Sequence, residues 1–383
     1  MSVFENSKKK FDRCAYLMLI FLLLSGCAEE ESERPSGIAE LGQPIVKEEA
    51  PVFPSDEPMQ TEEEPEEEDH IVTITISSAG DCTLGTTATQ DGYSFASVYR
   101  EKQDPAYFFS NVYDIFSEDS LTVVNLEGPL TTSTSMRADR EFNIKGDPSY
   151  AKILTMGSVE AVGFANNHRL DYLEQGVSDT VAALESEEIH YAFEDTVTTY
   201  MVDGVCIGIL AVQATAETEA VRSKIQKDIS MLQNANADII VALIHWGTEK
   251  KYEPDDYQIS LGHKCIDWGV DVVFGSHPHV LQGIEKYNGK IICYSLGNFC
   301  FGANRNPSDK DTMIVQQVFT FVDGQRQQDC DFRVIPCSLS SVGDKNDFCP
   351  TPAIGTESTR ILEKMNSLCT GFGVEFDEEG RIQ

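Results

Sequence analysis

A chain of 383 residues that is 41% hydrophobic can bury one large core or two modest ones. Its 63 acidic and 29 basic side chains leave a formal charge of -34. At long range such a field repels nucleic-acid backbones and anionic lipid surfaces, which argues against a nucleic-acid partner.

The chain opens with Lys8, Lys9, Lys10 and Arg13 ahead of an apolar run from Ala15 to Leu24. These are the charged and hydrophobic regions of an export signal, and the run is too short for a comfortable membrane span. It ends in Leu24-Ser25-Gly26-Cys27, which resembles the bacterial lipobox. That resemblance implies a signal peptide over 1–27, with Cys27 lipidated as the first mature residue and the protein anchored on the outer membrane face; a plain cleaved signal and an uncleaved anchor are the alternatives. From Ala28 to Asp69 the composition turns to Glu, Pro and Ser and closes on Glu62-Glu63-Glu64-Pro65-Glu66-Glu67-Glu68-Asp69. Such a segment buries too little apolar surface to offset its ordering entropy, so a disordered, self-repelling spacer is expected over 28–69.

A folded domain is expected over 70–345. His70 to Ser78 alternates β-branched residues and predicts a first strand running into Ala79-Gly80-Asp81. Leu121 to Leu126 and Val159 to Phe164 read as short buried strands, and Gly176 to Glu188 as a helix. Met201 to Val212 predicts a hairpin about Asp203-Gly204, followed by a helix from Glu219 to Ala235 and an all-apolar strand from Ile239 to Ile244. Further on come a helix over 255–268, a strand over 270–274, a hairpin about Asn288-Gly289 and two longer strands about Asp323-Gly324. A C-terminal extension over 346–383 carries a helix from Thr356 to Leu368. The fold class is α/β: a layered α-β-β-α sandwich with antiparallel C-terminal strands.

Chemistry-bearing residues collect where these strands end: Asp81, Asn125 with Glu127, Asn166-Asn167-His168, His245, and His277-Pro278-His279. Carboxyl ends of adjacent strands meet along one edge in α/β folds, so these residues are expected to converge in one crevice. Carboxylate, amide oxygen and imidazole together suit a divalent zinc, manganese or iron ion better than calcium or magnesium. His70, His190 and His263 read as structural or surface residues, the last two on or beside helices. Of eleven cysteines, Cys82, Cys206, Cys265, Cys293 and Cys300 read as small core residues, whereas Cys330, Cys337, Cys349 and Cys369 are open to pairing.

The segments Ala79-Gly80-Asp81, Val124 to Thr131, Ala165 to Asp171, His245-Trp246-Gly247, Gly275 to Val280 and Tyr294 to Phe299 resemble, in order, the motif set of the CapA/PgsA family of capsule poly-γ-glutamate synthesis proteins. That family is related to the calcineurin-like metallophosphoesterases, and the likeness runs from about residue 71 to about residue 335. It implies one or two metal ions, the first held by Asp81, Glu127 and His279 and the second by Glu127, Asn167, His245 and His277. It also implies His168 as a proton donor to a leaving group, with Asp171 either orienting that imidazole or capping a helix. The phosphoesterases begin with Asp-x-His, whereas Thr83 stands at the third position here, which removes one imidazole from the first ion. Arg137, Arg140, Lys145 and Arg169 lie near these motifs and are expected either to receive an anionic polymer or phosphoester or to be ordinary surface charges. Capsule-assembly membrane proteins are the expected partners, with a surface hydrolase or a non-catalytic polymer-binding module as the competing readings.

Overall fold

The computed structural model describes residues 69–383 apart from 91, 329 and 330. The signal segment, Cys27, the spacer up to 68 and Cys330 therefore lie outside the described residues. Among those described, no helix is long and apolar enough to cross a membrane.

Two sheets face each other. Among the described residues the first has nine strands, ordered along its main path as Thr351–Pro352, Asp331–Ser338, Asp311–Val322, Ile71–Thr83, Leu121–Leu126, Ala161–Gly163 and His190–Ala192. The second has six, ordered Ile284–Tyr287, Lys290–Cys293, Val272–Ser276, Ile239–Trp246, Val205–Ala214 and Thr198–Val202. Strand Ile71–Thr83 runs parallel to Leu121–Leu126 on one side and antiparallel to Asp311–Val322 on the other. The layered sandwich and its antiparallel C-terminal strands are thus as the sequence leads one to expect.

The apolar runs explain the layering. Along Ile239–Trp246, residues Ile239, Val241 and Leu243 enter the core between the sheets, while Ile240, Ala242 and Ile244 pack outward under helices Glu219–Asn234 and Asp256–Asp267. Successive side chains on a strand point to opposite faces, so a strand covered on both faces must be apolar throughout. The same alternation places Leu121 and Val123 between the sheets and Val124 and Leu126 under the other helical layer. That outer layer contains short elements with no long periodic pattern in the sequence. Helix Phe95–Lys102 is started by a capping box at Ser94 and Ser97, and with the 3-10 turn Pro105–Phe109 it supplies buried Phe95, Phe108 and Phe109. His190, expected on or beside a helix, opens strand His190–Ala192 just after helix Leu173–Ser186.

Beyond residue 345, Thr351–Pro352 pairs with Asp331–Ser338, and helix Thr356–Leu368 buries Ile361, Leu362 and Met365 in the core between the sheets. Cys337, Cys349 and Cys369 are buried free thiols, and burial raises the proton affinity of each.

At Gly163 the two sheets approach closely, since a Cβ there would lie 3.2 Å from both Ala211 and Leu243. Leu243→Ala should accordingly cost about 2–5 kcal/mol of stability, as core truncations do. Met201→Ala, at the exposed tip of the hairpin strand Thr198–Val202, should shift it by no more than about 0.5 kcal/mol. Urea unfolding of the two variants checks the pair; a cost under about 1 kcal/mol for Leu243→Ala would contradict this packing.

Candidate metal centre

The carboxyl ends of the parallel strands from both sheets meet at one crevice. Asp81 lies two residues before the end of Ile71–Thr83, Asn125 near the end of Leu121–Leu126, and His245 near the end of Ile239–Trp246. Glu127, Asn167, His168, His277 and His279 sit on the loops that follow their strands. Gly80 makes the first placement possible: a Cβ there would be 2.3 Å from the Gly297 carbonyl, the same oxygen that accepts the Asp81 amide hydrogen at 2.8 Å. Around Pro278 the backbone is unusual, with φ of +98° at His277 and +57° at His279. Left-handed conformations at non-glycine residues cost roughly 1–3 kcal/mol each in strained cases and cluster at functional sites. Here they bring both rings to one place, with ring centroids 4.6 Å apart for His245 and His277 and 5.9 Å for His277 and His279.

Asp81 is fully enclosed. Its Oδ1 accepts from Asn125 Nδ2 at 2.7 Å, and its Oδ2 accepts from the His277 amide at 3.2 Å and lies 3.2 Å from His279 Nδ1. Burial alone would push this carboxyl up, but the hydrogen bond and charge of His279, helped by His245, hold it below the usual range. His279 Nδ1 also meets Asn298 Oδ1 at 2.9 Å, so Nε2 is the nitrogen turned toward Glu127. Asn298, in the Tyr294 to Phe299 motif, thus helps orient a predicted ligand.

Glu127 is different. Its Oε2 accepts from the Thr83 hydroxyl at 2.9 Å, so the residue replacing the third-position imidazole is engaged with the expected bridging carboxylate. Its Oε1 is buried without a hydrogen-bond partner and lies 3.8 Å from both His245 Nε2 and His279 Nε2. Burial pushes the Glu127 carboxyl up, against the opposing charge of His279. His277 Nδ1 is a second buried atom without a partner. An unpaired buried polar atom costs about 1–3 kcal/mol, and more for a charged group. Burial and the neighbouring His277 hold His245 well below its ordinary value and therefore neutral, as a ligand must be. Its Nδ1 contacts Ser276 Oγ at 3.0 Å and its Nε2 lies 2.9 Å from Asn167 Oδ1. Ligand atoms of Asp81, Glu127 and His279 fall within 4.8 Å of one another, as do those of Glu127, His245 and His277. An orphaned carboxylate oxygen ringed by imidazoles is a donor set that fits a divalent cation.

Beside this set, His168 Nδ1 lies 2.7 Å from Asp171 Oδ2, and the same oxygen accepts the Ile144 amide hydrogen at 2.8 Å. Asp171 does not cap the following helix, whose N-cap is Tyr172. Burial works against a charged His168, but Asp171 and the charge of Glu127 outweigh it and raise its proton affinity.

A cavity of about 460 Å³ opens over Glu127, His168 and His279, walled by Phe142 and Phe301. The four expected cations stand apart from its lining. Arg137 pairs with exposed Asp139, Lys145 donates to the Ser133 carbonyl at 2.5 Å, and Arg169 pairs with Glu194 beside a separate cavity. Arg140 donates to the Asn167 carbonyl at 2.6 Å and so steadies a ligand-bearing loop. The lining lysine is Lys250, and next to it Glu249 brings a carboxylate within 4.8 Å of ligand atoms of His277 and His279. Sequence reasoning missed Glu249; the signal was its place four residues after His245, on the loop leaving the same strand. His263, by contrast, is on a helix and stacks on Tyr287 away from the crevice.

Residues 75–303 match the family described as Bacterial capsule synthesis protein PGA_cap. Over 263 residues the chain is 29% identical to a PGA biosynthesis protein CapA of Bacillus subtilis, covering 63% of this chain and 67% of that protein. Over 235 residues it is 28% identical to a capsule biosynthesis protein CapA of Bacillus anthracis, covering 55% of this chain and 57% of that one. The chain therefore spans between about half and two thirds of the length of these relatives. Among solved structures, a phosphatase from Mycoplasma pneumoniae aligns at a TM-score of 0.44 and 12% identity, over 70% of this chain and 95% of that one.

The His168–Asp171 contact carries a measurable consequence. In protein stripped of metal, Asp171→Asn should lower the pKa of His168, read by NMR titration of the imidazole. Asp171→Ala should in addition cost about 1–3 kcal/mol in urea unfolding, because the buried Ile144 N–H loses its acceptor. An unmoved His168 titration in Asp171→Asn would show that the carboxylate does not set the charge of the ring.

Proposed function

This chain belongs to the bacterial capsule synthesis protein family, and from that membership we propose that it acts in capsule or poly-γ-glutamate biosynthesis at the cell surface, through a metal-bearing crevice that cleaves or transfers an amide or phosphoester bond. The observation that carries the chemical part is the buried, unpartnered Glu127 Oε1 at 3.8 Å from two imidazole nitrogens, with the His168–Asp171 pair alongside. In this reading Cys27 carries a lipid and the acidic segment over 28–69 holds the folded part away from the membrane.

Glu127, Asn167, His245, His277 and His279 would hold the ion or ions, with Asp81 fixing His279 through Nδ1. When bound, a divalent ion there supplies Lewis-acid activation of water and of a carbonyl or phosphoryl oxygen. The protein's own part is positioning and proton transfer. Asp171 engages His168 Nδ1, which leaves Nε2 as the nitrogen that carries a proton to the leaving group. Thr83 keeps Glu127 Oε2 engaged and so aims Oε1 into the crevice. Phe142 and Phe301 limit water at the mouth, and Lys250 offers one cation to an anionic group of the substrate.

Metal analysis of the purified full chain tests this reading. The wild type should carry at least one divalent ion per chain, and the His277→Ala, His279→Ala double variant should carry almost none. Against phosphoester and poly-γ-glutamate substrates, His168→Ala should retain the metal and lose about 10²- to 10⁴-fold in turnover. Metal without turnover on any substrate would favour a polymer-binding role. No metal, with no rise in Tm on adding manganese or zinc, would remove the chemical reading altogether.

A further inference from the structure

The loop leaving strand Ile239–Trp246 is unusually well fastened for a crevice rim. Gly247 adopts φ +86°, where a side chain would be strained, and a Cβ there would meet Gln258 at 2.7 Å. The Gly247 amide donates to the Tyr257 hydroxyl at 2.6 Å. Thr248 Oγ1 and Lys251 Nζ donate to the two oxygens of Asp255 at 2.8 and 2.6 Å. The Lys251 carbonyl accepts from Gln282 Nε2 at 2.8 Å, and Gln282 Oε1 accepts from Gln258 at 3.0 Å. Most telling is the amide of Lys250, which donates to the Pro278 carbonyl at 2.7 Å and so ties the Glu249 loop directly to the segment between His277 and His279.

Glu249 is thereby held facing two histidines. Its carboxylate and ligand atoms of His277 and His279 all lie within 4.8 Å of one another. Glu249 is exposed, whereas His277 Nδ1 is buried without a hydrogen-bond partner. Two imidazoles and one carboxylate, open to solvent on the remaining side, make the three-ligand arrangement that suits zinc or a similar divalent ion. The inner ligand sets approach the same histidines from the protein side through Glu127. His279 Nδ1 is already engaged by Asp81 and Asn298, which leaves it a single nitrogen for an ion.

We infer that Glu249, His277 and His279 form a solvent-side divalent-cation position at the mouth of the crevice, with Glu249 as its outer ligand. The inference rests on the metal-bearing reading of the crevice. Because His279 has one nitrogen to give, it serves one ion at a time, and an ion added at the outer position while the inner one is filled is held by Glu249 and His277. The site then accepts its last ion more weakly than a site with independent ligands, and Glu249 contributes most of the affinity of that last step.

Calorimetric titration of the metal-stripped full chain with zinc chloride at 0.15 M salt tests this. Wild type should show a tight step and a weaker one, and Glu249→Gln should weaken the second by about 10-fold or more while sparing the first. Glu253→Gln, on the same loop and exposed, controls for the general negative field and should change neither. Equal zinc binding by wild type and Glu249→Gln, or equal weakening by Glu253→Gln, would overturn the assignment of Glu249 and leave the inner metal site standing. Absence of zinc binding by the wild type would overturn both. Far-ultraviolet circular dichroism and Tm of the metal-stripped variants verify that the folds compared are the same.

Discussion

Two carboxylates, Asp81 and Glu127, are withdrawn from water inside a chain that already carries a formal charge of -34, and the arrangement of the surrounding histidines follows from what that burial requires. A buried carboxylate is costly unless hydrogen bonds or opposite charge offset the lost hydration. Asp81 is satisfied within the protein by Asn125, the His277 amide and His279. Glu127 is satisfied at one oxygen only. The asymmetry divides their roles: Asp81 orders the ring that reaches inward, and Glu127 presents the oxygen on which a cation would complete its shell. The left-handed backbone at His277 and His279 belongs to the same account, since that path around Pro278 brings both rings to the two acids.

Much of this was readable in the sequence because two periodicities do most of the folding. The all-apolar run from Ile239 to Ile244 could only be a strand covered on both faces, and it is. Hairpins about Asp203-Gly204 and Asn288-Gly289 were marked by turn chemistry that strands of normal twist demand, and both form. Strand ends located the polar residues, and the parallel topology gathered them. Less legible was the region from 84 to 120, where short helices are held by aromatic packing such as Phe95 on Phe108 rather than by any long amphipathic repeat. Glu249 was hidden for another reason: one more acid in a chain this acidic has no compositional contrast, and its place four residues after His245 gains meaning only once its carboxylate is seen beside His277 and His279.

The cations near the motifs show how partner choice among charged groups escapes sequence. Arg137, Lys145, Arg169 and Arg140 were equally eligible for an anionic substrate, yet each is engaged by a nearby carboxylate or carbonyl. Arg140 is the one that touches a ligand-bearing loop, through the Asn167 carbonyl. With Lys250 as the lysine in the lining, attraction of a polyanion would depend on bound cations more than on side chains.

The first strand of the domain does not finish its sheet with a neighbour in sequence. Ile71–Thr83 lies between Leu121–Leu126 and Asp311–Val322, pairing Ile71 with Val322 across most of the folded chain. The entropy of closing so long a loop comes before the pairing that offsets it, which in general slows the formation of such sheets. Until the segment at 311–322 arrives, the first strand presents an open edge rich in isoleucine and threonine, the kind of surface that pairs with other chains. The same strand that carries Asp81 into the crevice is thus the one whose edge stays open until the chain has been made as far as residue 322.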